Sequence, residues 1–450
     1  MQPRKFGSFP ITDLSRIKWQ MLNWTSRFNI CVFLDNQHYQ APFHHFDNLL
    51  AAGVVDSIQA SAGNALEQLR EFMARHDDWL FGHFAYDLVK ETEPFQTDHR
   101  DMEKDLPGTL DPIGFPDLFF FIPEVLIELK EDKINIGSRG EDPHTILQAI
   151  LAMPEHPEGG MDMEKPRTSK SPIEFQSGLS REEYLNTIQA LRQHILRGDC
   201  YEINFCQEFF KEGITIDPIP TWRSLSQASP NPFSAYYRLH EKYLLSASPE
   251  RYLQRKGNTI ISQPMKGTAP RIPDDPLADE AAGARLYASA KDRSENVMVV
   301  DLVRNDLSRI CLPGSVRVKE LFGVYGFPQV FQMISTIEGE LMPEMGLIQA
   351  IKATFPMGSM TGAPKKKVVE LIDRYERSPR GLFSGALGYV TPEKDFDFNV
   401  VIRSLFYNEA GRYLSYRVGS GITFYSDPEQ EYEECLIKAE GIKKALAGLI

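Results

Sequence analysis

"FSGALGYVTPEKDFDFNVVIRSLFYNEAGRYLSYRVGSGITFY", Phe383–Tyr425, is the stretch that decides the fold. Its runs "FSGALGYVT", "FDFNVVIRSLFYN" and "GRYLSYRVGSGITFY" are rich in Val, Ile, Tyr and Phe and are joined by short polar turns. Short connections suit antiparallel neighbours, because parallel strands need long crossovers. The stretch predicts an antiparallel meander.

Working outward, further strands are expected at "YEINFCQEFF", "FSAYYRL", "KYLLSAS", "RYLQRKGNTIIS" and "SVRVKELFGVY". Helices fall at about 275–309, 345–354, 361–376 and 428–447. "SREEYLNTIQALRQHILRGDC" adds another: Ser180 and Glu183 make a capping-box pattern, Tyr184, Ile188, Leu191 and Ile195 line one face, and Gly198 offers a stop. The N-terminal third mixes strand-like "FNICVFLD", "LFFFIPEVLIEL" and "KINIG" with a helical stripe at Ala65, Leu66, Leu69, Phe72 and Met73. "AMPEHPEGGMDMEKPRTSKSP", Ala152–Pro172, reads as a linker. The expected organisation is an α+β N-terminal part over residues 1–155, a linker over 156–173 and a catalytic region over 174–450.

The 450 residues carry a formal net charge of −13 and no strong basic cluster beyond Lys365–Lys367. Nucleic acid is therefore not an expected partner. Five cysteines at wide spacings, with no CxxC pair, fit a reducing cytosol and argue against a thiolate metal site. No apolar run approaches the ~20 residues of a membrane helix, and "MQPRKFGSFPITDLSRIKWQ" does not read as a signal peptide. The expectation is a cytoplasmic protein without membrane contact.

Five stretches carry chemistry. In "DPEQEYEECLIKAEGIKKAL", Asp427 is an N-cap and Pro428 the first helical residue. Glu431, Glu434 and Lys438 share one face, as cation ligands or as a solvated charged stripe. Glu295, in "KDRSENVMVVDLVRNDL", lies on a mostly apolar helix side, where a carboxylate needs a metal or a cationic partner. Gly419 and Gly421 bracket Ser420 in "YRVGSGI", either an anion cradle or a bulge. "MGSMTGAPKKK" offers a helix start near Thr361 or Pro364 suited to an anion. "ISQPMKGTAPR", Ile261–Arg271, holds Lys266 among prolines and a glycine and is expected to be a rigid loop. No histidine follows His240, so acid–base work in the C-terminal region falls to Glu, Asp, Lys, Tyr or Cys.

Together "SPERYL", "PMKGTAPR", "ENVMVVDLVRNDL", "TGAPK", "VVIRS", "VGSGI" and "DPEQEYEECLIK" resemble the chorismate-utilising enzymes, in family order from about Tyr184 to Lys444. "FGHFAYDL" adds a looser likeness in the N-terminal third. The resemblance implies one large α+β domain of two packed antiparallel sheets flanked by helices. It implies Mg²⁺ held by Glu295 and Glu434, with Glu431 adjacent, against the ring carboxylate of chorismate. Arg403 and the amides of the Gly419–Ser420–Gly421 turn would contact the other carboxylate. Thr361 would lie near the ring hydroxyl, Lys438 would offset the acidic site, and Glu250 would protonate the departing C4 hydroxyl.

Lys266 resembles the lysine of the aminodeoxychorismate synthase branch, where the amine attacks C2 before ammonia adds at C4. Ammonia would come from a glutamine amidotransferase subunit, component II. The alternatives are anthranilate synthase chemistry and a catalytically silent subunit that only binds its glutaminase. Three positions depart from the family pattern. Glu202 stands where the aminating branch usually has Gln, Gln332 where His is usual, and Phe383 where Tyr is usual; Glu202 and Gln332 are still expected among the substrate contacts.

Overall fold

The computed structural model describes residues 3–39, 46–95, 111–155 and 173–446. The expected linker falls almost wholly outside the described residues.

Among the described residues, the strands form two antiparallel sheets. The larger runs in the order Lys5–Pro10, Lys133–Ser138, Val125–Leu129, Asn48–Ala52, Ile30–Asp35, Phe233–Leu239, Lys242–Ser248, Ser404–Asn408, Tyr413–Ile422, Glu202–Glu212, Gly362–Ala363. The smaller runs Met265–Pro270, Val330–Glu340, Thr259–Gln263, Arg251–Lys256, Phe396–Asn399, Ala386–Val390, Leu80–Phe84, Leu118–Ile122, Asp56–Ala60. Ile30–Asp35 pairs directly with Phe233–Leu239, so strands from the N-terminal third continue a sheet built by the rest of the chain. This is the α+β domain of two packed sheets that the resemblance implies.

Alternation along one strand shows how the layers pack, because successive side chains leave opposite faces. Ile30 and Val32 join the core that holds Phe81, Phe84, Phe120 and Phe398 of the other sheet. Cys31 and Phe33 join Trp19, Leu22 and Trp222, on the helices that cover the outer face.

The meander is real but is shared between sheets. "FDFNVVIRSLFYN" reads as one strand, yet Phe396–Asn399 belongs to the smaller sheet and Ser404–Asn408 to the larger. The break is physical: Arg403 sits at φ 52°, a left-handed conformation that no regular strand accepts. Another such crossing that borders the site is Ser248–Arg251, between Lys242–Ser248 and Arg251–Lys256. The helix expected at about 275–309 is two, Pro276–Ala288 and Ala290–Ser308, because Ser289 is extended at ψ 111° and caps the second one through Asp292 N–H.

"ISQPMKGTAPR" is not a loop. Met265–Pro270 is an edge strand of the smaller sheet, pairing with Val330–Glu340. Its register slips between Met265 and Thr268, which leaves Lys266 and Gly267 in a bulge. Prolines are tolerated at an edge. The bulge demands glycine: Gly267 is at φ +91°, and a Cβ there would lie 2.9 Å from the Asp292 side chain. Val330–Glu340 itself has no clean alternation to read, since it is buried on both faces over most of its length.

Candidate active site

The site lies at the seam where the Met265–Pro270 edge of one sheet meets the Glu202–Glu212 and Tyr413–Ile422 strands of the other. Lys266 Nζ donates to Glu202 Oε1 at 2.6 Å across that seam. The two side chains are 11% and 3% exposed. Gly421 makes the approach possible: a Cβ there would stand 2.8 Å from Lys266 Nζ and 3.0 Å from Glu202 Oε1. Burial disfavours the Lys266 cation, but Glu202, Glu295 and Glu250 outweigh it and hold the amine above its ordinary value. The lysine is therefore an ammonium at rest.

Glu250 sits on the Ser248–Arg251 crossing and is buried. Burial pushes its carboxyl up to about 7, against the pull of the Ser359 hydroxyl, Lys266 and the Met265 amide. A buried acid that keeps its proton near neutrality suits proton donation. Glu295, on the helix Ala290–Ser308, is likewise raised to about 7 by burial, with Lys266 opposing and Glu202 reinforcing. Gly267 packed on Asp292 is what brings this helix against the lysine strand.

The last helix contributes differently. Glu434 is about half exposed and pairs with Lys438 at 2.7 Å. Burial raises its carboxyl, but Lys438, Lys291 and Lys266 win and hold it below its ordinary value. Lys438 Nζ also donates to the Gly419 carbonyl at 3.2 Å. Lys291 acts on both Glu295 and Glu434, which places these two carboxylates in one electrostatic neighbourhood. Among the described residues, no three His, Cys, Asp or Glu side chains gather as a metal cluster. Glu431 is buried and acts on Tyr184, in the helix-side core.

Arg403, on the crossing between Phe396–Asn399 and Ser404–Asn408, has no charged group acting on its guanidinium among the described residues, and burial lowers its value. A half-buried guanidinium on which no charged group acts among the described residues is available to an anion. Thr361 is fully buried; its hydroxyl donates to the Met357 carbonyl at 3.0 Å and its own carbonyl accepts from Asn204 N–H at 2.7 Å. The helix after it begins only at Lys365, with Pro364 as cap.

The side chains of two expected substrate contacts have protein partners. Ser420 is next to Gly421, so the pleat turns its hydroxyl to the opposite face, beside Tyr184. Gln332 accepts a hydrogen bond from the Thr268 hydroxyl at 2.9 Å and braces the lysine strand. Glu202, expected to touch substrate, is occupied by Lys266. Phe383 is buried in the core between the sheets. Sequence reasoning missed Ser359 and Lys291. Ser359 lies inside the quoted "MGSMTGAPKKK", and Lys291 is one turn before Glu295, so both had a positional signal.

A seam of two antiparallel sheets that gathers an amine, a buried acid with a raised carboxyl and rim carboxylates has the groups of an active site. The family profile described as chorismate binding enzyme matches residues 30–444, and the chain belongs to that family. It is 38% identical over 273 residues to aminodeoxychorismate synthase component 1 of Escherichia coli K12, covering 61% of this chain and 59% of that protein. The match thus spans less than two thirds of that relative's length. It is 30% identical over 461 residues to anthranilate synthase component 1 2 of Haloarcula marismortui, covering 98% of this chain and 83% of that one. The fold matches the crystal structure of anthranilate synthase component I from Streptococcus pneumoniae with a TM-score of 0.74 at 24% identity, over 90% of this chain and 94% of that one. No helix among the described residues is long and apolar enough to cross a membrane.

Proposed function

We propose that this chain aminates chorismate at C4 to give 4-amino-4-deoxychorismate, a precursor of p-aminobenzoate and so of folate. The observation that carries the reading is the Lys266 amine, fixed in a bulge beside Gly421, with Glu250 in the same site. Lys266 attacks C2, the two ring double bonds shift in turn from C1=C2 and C5=C6 to C1=C6 and C4=C5, and the C4 hydroxyl leaves as water with the proton of Glu250. Ammonia then attacks C4 and expels the lysine. Fixing the amine in advance lowers the entropy lost on reaching attack geometry. Ammonia comes from a glutamine amidotransferase subunit or from free ammonium.

Glu295 and Glu434 fit Mg²⁺. They are hard oxygen donors, Glu295 is half-buried beside Glu202 and Asp292, whose repulsion a cation would relieve, and Mg²⁺ takes only one or two carboxylates. The ion would supply charge to hold a substrate carboxylate. Arg403 holds the second carboxylate, and Lys438 trims the negative potential at the rim. Glu431, turned toward Tyr184, is left outside this set.

The second reading, anthranilate formation, is favoured by the match to the Haloarcula protein along nearly the whole chain. One assay separates the two. The chain is incubated with chorismate, Mg²⁺ and ammonium, and products are identified by chromatography and mass. 4-Amino-4-deoxychorismate is expected. Anthranilate would contradict the proposal, and no turnover with or without a glutaminase would favour a silent subunit.

A further inference from the structure

We propose that Glu202 is the proton acceptor that frees the Lys266 amine for attack and stores that proton until the amine is released. This rests on the reading of Lys266 as the nucleophile. An ammonium has no lone pair, so the first event in the site must be loss of a proton from Nζ. Glu202 Oε1 is the acceptor in direct contact, at 2.6 Å.

Three features show that this contact is built. Glu202 is buried, and its second oxygen, Oε2, has no hydrogen-bond partner among the described residues. Its backbone is clamped: Glu202 pairs with Ala363, and a Cβ on Gly362 would lie 2.1 Å from the Glu202 carbonyl. Gly362, at φ +143°, is therefore required for that strand to close over it. Gly421 closes the other side without a side chain. Among the described residues, the remaining carboxyls make no hydrogen bond to Lys266 Nζ. Glu250 carries the proton for the leaving hydroxyl, Glu295 faces the lysine from the helix Ala290–Ser308, and Glu434 faces it from the last helix, paired with Lys438.

The protons balance. Nζ gives one proton to Glu202, turning a buried ion pair into a neutral pair. The free amine forms the C2–N bond while the C4–O bond breaks and Glu250 donates its proton to the departing oxygen. Ammonia then forms the C4–N bond as the C2–N(lysine) bond breaks. The new ammonium returns a proton to Glu250, and the released amine takes back the one on Glu202. The sum is chorismate plus ammonia giving 4-amino-4-deoxychorismate plus water.

The test compares the parent chain with Glu202→Gln, which keeps the shape and an acceptor oxygen but cannot hold the proton. Both are mixed with chorismate and Mg²⁺ without ammonia. The rate of covalent adduct formation on Lys266 is read by quench and mass spectrometry from pH 6.5 to 9.5, with circular dichroism confirming the fold. At pH 7 the parent is expected to be ~100-fold faster or more. That ratio should shrink about tenfold per pH unit upward, as solvent takes over deprotonation. A ratio near one, or a deficit independent of pH, would overturn the proton-acceptor role while leaving the nucleophile reading intact. A parent chain that aminates chorismate with no adduct on Lys266 would defeat the nucleophile reading itself, and this inference with it.

Discussion

Two of the buried lysine–carboxylate pairs are of equal length but stand in opposite surroundings. Lys365 Nζ donates to Asp306 at 2.6 Å and to the Thr354 carbonyl at 3.0 Å, at 8% side-chain exposure. Lys266 Nζ donates to Glu202 at the same 2.6 Å, at 11% exposure. Burial and distance do not tell them apart; the surroundings do. Lys365 ties one helix to another through a carboxylate and a carbonyl. Lys266 lies in a bulge at a sheet seam, next to a glycine that leaves its amine uncovered, with Glu250 and Glu295 acting on it. A buried pair with every contact spoken for leaves no room for a ligand, whereas one bordered by an absent side chain does.

The largest effect expected from breaking this contrast is at the two lysines. Lys266→Ala and Lys266→Arg should each cut 4-amino-4-deoxychorismate formation on the order of 10³-fold or more, since neither supplies a neutral amine. Lys266→Arg still offers Glu202 a cation, so its unfolding free energy should stay within about 2 kcal/mol of the parent. Lys365→Met should do the reverse. It strands Asp306 and lowers stability by about 3–5 kcal/mol in urea unfolding, while the protein that remains folded turns over normally.

Glu250→Gln should cost roughly 10²–10⁴-fold in turnover by removing the acid. It should also change the pH dependence of stability. Burial raises this carboxyl from 4.5 to about 7, so the folded chain holds a proton that the unfolded chain has released. That contribution is complete below about pH 4.5 and is lost as pH rises through about 7. At pH 8 the glutamine variant should therefore be the more stable, by up to about 3 kcal/mol, and at pH 4 the two urea midpoints should converge.

Gly421→Ala sharpens the contrast without touching a charge. Its methyl would enter the space of Lys266 Nζ, and displacement of the amine should lower turnover roughly 10²-fold with little change in melting temperature. The smallest effect is at the rim. Lys438→Ala frees the half-exposed Glu434 and should shift the Mg²⁺ concentration for half-maximal rate by less than about tenfold. Chelation should abolish turnover and added Mg²⁺ should restore it, which checks the metal reading directly.

Much of the fold was legible. The meander, the capping box at Ser180 and Glu183, and the helices around Glu295 and Glu434 follow from local periodicity and end signals, which are properties of short windows. The sheet crossing at Val400–Arg403 was not, because an extended run looks the same whichever sheet it pairs with. The lysine stretch misled for a related reason: prolines and a glycine mark an irregular backbone, and only tertiary pairing distinguishes an edge-strand bulge from a loop. In the site, Lys266, Glu250, Glu295 and Glu434 could be picked out by residue type and motif. The Lys266–Glu202 contact could not, since it joins positions 64 residues apart across two sheets. The outward turn of Ser420 was in principle readable from strand alternation, which separates it from Gly419 and Gly421.

The central claim is that Lys266 is the nucleophile of a chorismate-aminating site. The most direct test is to mix the chain with chorismate and Mg²⁺ without ammonia, quench in acid and map modified peptides by mass spectrometry. The account predicts an adduct of chorismate less one water on Lys266 that disappears, with release of 4-amino-4-deoxychorismate, when ammonium is added before the quench. An unmodified Lys266 in a preparation that aminates chorismate would contradict it.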